Sequence, residues 1–183
     1  MLGKLWKKLS TPPSSQVGKR NLERAWRAQI RGDMDKAREY NNAAAQAFLS
    51  MLDHDKTNGK RTFPARLAAA GITLLRTGNA QDAAPLLREA IQRQNVLFAA
   101  YPWAGLAFAH QGEQKTALEY WNNFSAIQAK QPVLGKIVQA QCIELQSDEI
   151  SLAEAATAIE QGILQQDLAD HREGKQFWLL DKL

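Results

Sequence analysis

The chain has 183 residues, of which 45% are hydrophobic and 23% charged, with a formal net charge of +4. That length sets one domain as the default, and abundant alanine with few β-branched residues favours helix. A single cysteine, Cys142, excludes an internal disulfide framework, no apolar run reaches the roughly 18 residues of a bilayer crossing, and no apolar segment follows the first lysines as it would in a secretory leader.

The expected location is therefore the cytoplasm, or the inner face of a membrane as a peripheral protein. The charge is unevenly spread. Residues 1–31 hold eight bases against Glu23 alone, a net +7, while 140–183 hold nine acids and three bases, a net −6. A basic arm on an acidic body suggests an anionic contact without choosing between lipid, protein and nucleic acid.

In residues 1–9, Leu2, Leu5, Trp6 and Leu9 share a helical face, with Lys4, Lys7 and Lys8 off it. This basic amphipathic pattern suits a membrane surface or a partner's groove. Residues 10–18, with Pro12, Pro13 and Gly18, read as a linker. The chain then divides into a flexible arm, 1–18, and a helical domain, 19–183.

Within the domain, apolar spacing predicts helices over 19–31 and 34–52, 64–77 and 80–93, 96–111 and 113–128, and from Gln131-Pro132 to Leu145. Pro85 and Pro102 sit inside two of these and predict a kink or a shifted start. Ser151 and Glu154 have the spacing of a capping box, which predicts a further helix from Leu152.

Two stretches repeat. Leu67, Ala70, Gly71, Leu74, Gly78, Ala83, Leu87 and Ala90 recur 34 residues later as Tyr101, Ala104, Gly105, Phe108, Gly112, Ala117, Trp121 and Phe124. Gly32 and Ala37 make a looser copy 46 residues upstream of Gly78 and Ala83, the surplus falling in 53–64. A degenerate copy over 132–166 places Gln146 and Ser151 where the others have glycine and alanine. A fixed period of this length in helical sequence is the mark of stacked helix–turn–helix units, which bury their apolar faces only by stacking.

The period, the small residues in mid-helix and the glycine at the turn resemble the tetratricopeptide repeat. The resemblance implies an all-α, right-handed solenoid of antiparallel helix pairs with about eight or nine helices in the style of that family. Its repeats would span 19–52, 64–94, 97–128 and 132–166, with a C-terminal cap at 167–183. It also implies a concave groove lined by the first helix of each pair: Trp26, Gln29 and Ile30, then Ile72, Leu75 and Arg76, then Trp103, Leu106 and His110. Trp and Arg are the residues that most often dominate binding energy.

The expected function is a protein–protein interaction module, an adaptor or chaperone that holds an apolar or amphipathic peptide of a partner. Small three-repeat bacterial secretion chaperones are similar in size and repeat count. The competing expectation is a membrane-peripheral scaffold attached through residues 1–9. Self-association stays open, and nucleic acid is disfavoured. The positions by which some tetratricopeptide proteins grip a C-terminal carboxylate hold Leu22, Trp26, Ala69, Ala99 and Trp103, so that grip is not expected.

No catalytic, metal or cofactor constellation emerges. His54, His110 and His171 lie in separate segments without ligand spacing. Asp53-His54-Asp55 lacks the glycine and glutamate of a calcium loop, with Asn58 and Pro64 in their places. The run Phe177-Trp178-Leu179-Leu180 is expected to fold back onto the core, the alternatives being a free apolar peptide that binds another molecule and occupancy of the groove until a partner displaces it.

Overall fold

A computed structural model describes residues 13–95, 97–125 and 131–183. The amphipathic arm, Leu2, Lys4, Leu5, Trp6, Lys7, Lys8 and Leu9, lies outside the described residues. The described chain is all helical, without strands: α1 (Ser14–Ile30), α2 (Met34–Thr57), α3 (Pro64–Arg76), α4 (Ala80–Arg93), α5 (Tyr101–Ala109), α6 (Gln114–Ser125), α7 (Pro132–Gln146) and α8 (Leu152–Arg172). Short 3₁₀ turns occupy Phe98–Ala100 and Leu180–Lys182. None of these helices is long and apolar enough to cross a membrane.

Each helix packs mainly on its sequence neighbour, α1 on α2, α3 on α4, α5 on α6 and α7 on α8, and the pairs meet through α2–α3, α4–α5 and α6–α7. The turns within pairs share one geometry. Gly32, Gly78 and Gly112 have φ of 77°, 85° and 77°. The next residue's N–H reaches back five positions, from Asp33 to the Ala28 carbonyl, Asn79 to Leu74 and Glu113 to Phe108. Only glycine enters that left-handed region without strain.

The fourth turn corrects the expected register. Asp148, at φ 57°, takes the glycine's place, and the Glu149 N–H bonds the Glu144 carbonyl. The helix start is set by the Ser151–Glu154 capping box. The small residue that follows is then Ala155, buried like Ala37, Ala83 and Ala117. Gln146 and Ser151 are not the equivalent positions, because Asp148 stands 36 residues after Gly112 and not 34, and α8 starts four residues after it where the other second helices start two after their glycine.

Other boundaries shift for local reasons. The expected linker does not reach residue 18, since α1 starts at Ser14. Gly18 is buried in it with its Cα against Phe48; an added Cβ would lie 2.8 Å from that ring. The glycine marks a close helix approach, not a break. Pro102 is tolerated because α5 begins at Tyr101, one residue before it, where the missing N–H has no helical partner to lose. α4 starts at Ala80 as expected and runs on through Pro85, which is solvent-exposed. Past residue 52, α2 continues to Thr57, and the following loop is tied by Thr62, which donates to Asp55 at 2.9 Å and accepts through its carbonyl from Arg93 at 2.6 Å.

One core joins all the pairs, with Trp121, Phe48, Phe177, Leu22 and Ile72 among its largest fully buried side chains. A Cβ on Gly105 would overlap the Trp121 indole, whose N–H donates to the Pro102 carbonyl at 3.3 Å. The matched repeat residues are thus packing positions.

α8 breaks the neighbour-only pattern by also touching α5 and α1. Residues 167–172 belong to it and not to a separate cap. Buried Gln166 accepts from the Val133 and Leu134 N–H groups at 3.0 and 3.2 Å, capping α7, whose own N-cap residue makes no side-chain bond. Beyond Arg172 the tail returns to the body and buries Phe177, Leu179 and Leu180.

Candidate functional site

The residues expected to line a groove separate into two sets. Trp26 and Ile72 are buried in the core, and Ile30 is half-buried against it. His110 is exposed and bonds Glu160 of α8 at 2.8 Å. Gln29, Leu75, Arg76, Trp103 and Leu106 do come together, around a pocket of about 380 Å³. The first-helix face is not an open groove, because α8 lies over it: Trp26 meets the His171 ring edge-on at 5.5 Å, and Phe177 from the tail covers Arg76.

Much of the wall was missing from the expected list. Met34, Ala37, Arg38 and Asn41 come from α2, and Glu160, Gln161, Ile163 and Leu164 from α8. Met34, the first residue of α2, is 56% exposed although apolar. Its position just after the turn glycine was visible in the sequence. What makes it part of a pocket wall is α8 across from it, which nothing local announces.

The centre of the site is Arg76, in the last turn of α3, with a side chain only 8% exposed. Its guanidinium carbon lies 4.8 Å from the centre of the Trp103 ring and 5.2 Å from that of Phe177. Both terminal nitrogens lack a hydrogen-bond partner. The nearest carboxylate, Asp167 of α8, stands 3.8 Å away, within ionic reach but too far to accept a hydrogen bond. Aromatic faces attract the cation, yet leave its in-plane N–H donors unused.

Asp167 is equally ill at ease. Its carboxyl is 6% exposed and Oδ2 is unpaired. Burial pushes its pKa up to about 6, against the opposing pull of Arg76 and the Trp26 indole N–H, while Asp170 adds to the rise. Burial likewise lowers the Arg76 pKa, with Asp167 working the other way. A buried donor or acceptor without a partner costs roughly 1–3 kcal/mol, and more when charged. Asn41, also on the wall, leaves its side-chain oxygen unpaired.

The pocket therefore combines apolar walls (Leu75, Trp103, Leu106, Ile163, Leu164) with a cation whose terminal N–H groups make no hydrogen bond and an unpaired amide oxygen. Ligand pockets commonly pair apolar walls with a few polar groups in this way. Elsewhere, burial raises the Cys142 thiol to about 11, the condition of an inert packing residue. No group of metal-ligating side chains is found among the described residues. Comparison with protein-family models, curated proteins and solved structures finds no match.

Proposed function

We propose that the chain is a protein-binding module built as a right-handed, tetratricopeptide-type solenoid of antiparallel helix pairs. It works as an adaptor or chaperone, and a short amphipathic segment of a partner protein seats in the pocket between α2, α3, α5 and α8. The observation that carries this reading is the pocket itself: apolar walls from four helices converge on a buried guanidinium with unused donors. The repeated turns at Gly32, Gly78 and Gly112, with Asp148 as the fourth, support the solenoid. The proposal involves no catalytic step.

The test is selection of peptides from a random displayed library on the full chain. The competitor variant is Met34→Glu, which alters an exposed wall residue and adds an acid at a helix N-terminus, where acids are tolerated. Truncating Trp103 or Leu106 would be a poor control, since both are buried and their loss costs several kcal/mol. Selected peptides are expected to bind Met34→Glu at least tenfold more weakly, with the unfolding midpoint unchanged. Equal binding by the two proteins would place the site elsewhere.

A further inference from the structure

We infer that Arg76 is the anchor for a carboxylate on the incoming segment, an acidic side chain flanked by an apolar one; this rests on the pocket reading above. The argument begins with what Arg76 lacks. Its side chain is nine-tenths buried and lines the pocket, and both terminal nitrogens are buried without a partner, so a ligand reaches them only where the surrounding side chains give way. A guanidinium cannot shed its proton to escape such a setting. Trp103 and Phe177 pack near the guanidinium while leaving its N–H groups unpaired.

The chain does not meet this demand from its own carboxylates. Asp167 stops at 3.8 Å without a hydrogen bond. Glu160, on the pocket wall, is engaged with His110. Residues 1–12, 96 and 126–130, outside the described set, contain no Asp or Glu. No carboxylate of the chain completes Arg76, and the acceptor assigned to it comes from another molecule. Among acceptors, a singly charged, planar carboxylate matches the guanidinium fork. A phosphate would bring a second negative charge toward Asp167 and Glu160.

The other walls say what accompanies the carboxylate. Leu75, Leu106, Ile163 and Leu164 offer an aliphatic surface beside it. The unpaired Asn41 oxygen offers an acceptor for an N–H, as a peptide backbone would supply. An acidic residue next to a leucine-like one satisfies all three features.

The experiment titrates the full chain with hexanoate and with its uncharged isostere hexanamide, following the Trp103 indole N–H by NMR, for wild type and Arg76→Met. Hexanoate is expected to saturate that signal with an affinity at least tenfold above hexanamide, and Arg76→Met to erase the difference. Equal shifts from the two probes on wild type would overturn the inference, and this arm does not depend on the variant folding. Inorganic phosphate saturating the same signal below the hexanoate concentration would overturn the carboxylate assignment in favour of a phosphoryl group.

The peptide selection separates this inference from the reading beneath it. Selected peptides that bind equally well with Glu or Gln at their acidic position keep the binding module and overturn the Arg76 anchor. Hexanoate binding without any selected peptide keeps the anchor and overturns the partner-segment reading.

Discussion

Phe177→Ala is expected to lower the unfolding free energy by about 3–5 kcal/mol, the range for truncating a buried aromatic ring. Phe177 is 1% exposed and packs beside Arg76 and Trp178. At a urea dependence of roughly 1–3 kcal/mol per molar, the midpoint falls by more than about 1 M. Leu179 and Leu180 are buried with it, so the tail is an integral cover of the first-helix face. Trp178, half-buried beside it, serves as the internal comparison, and its alanine variant should cost clearly less. A loss below about 1 kcal/mol for Phe177→Ala would mean that the tail lies free of the body.

The second large effect is a dependence on pH. Asp167 ionises at about 6 in the folded chain, against an ordinary 3.8. Between these values the native state holds a proton that the unfolded state has released. Stability therefore falls as pH rises through this window and levels off above it. Holding that proton corresponds to a loss on the order of 3 kcal/mol between about pH 4 and pH 7. Arg76 and the Trp26 indole N–H favour the ionised form, while burial and Asp170 oppose it, with burial the largest influence. Asp167→Asn removes the titration. Urea unfolding of both proteins across this range should show similar stabilities near pH 4 and the asparagine variant ahead at pH 7. Parallel pH profiles for the two proteins would contradict the strained environment assigned to Asp167.

The repeat unit was open to reading in sequence because it rests on local rules. A residue that must adopt positive φ is glycine at three of the four turns, and the small residue after each turn is alanine in all four pairs. Those constraints act over a few residues and leave a fixed spacing. Two misreadings came from residues with two uses. Gly18 reads as a breaker next to Pro12 and Pro13, yet in α1 it lets Phe48 approach. Asp148 does a glycine's work at the fourth turn, which hid the true register of the last pair.

Only part of the pocket's lining was expected from the sequence. Gln29, Leu75, Arg76, Trp103 and Leu106, which the resemblance placed on the first-helix face, all line the pocket. The covering of Trp26 was not expected, because it depends on α8 crossing to α5 and α1. That placement is set by contacts far apart in the chain, such as Gln166 on the start of α7 and His110 on Glu160. Asp167 and Gln166 sit in a run of polar residues that looks solvent-facing until those partners are known.

The central claim is that the buried guanidinium of Arg76 serves a ligand rather than the fold. The most direct measurement is the unfolding free energy of Arg76→Met at pH 7, where methionine keeps an unbranched stem between Trp103 and Phe177. Removing a poorly paired buried cation relieves its desolvation, and Asp167 can answer by taking up a proton. The expected result is a stability within about 1 kcal/mol of the wild type or above it. A loss of about 3 kcal/mol or more, the cost of breaking a well-formed buried pair, would show that Arg76 holds the fold and would contradict the claim.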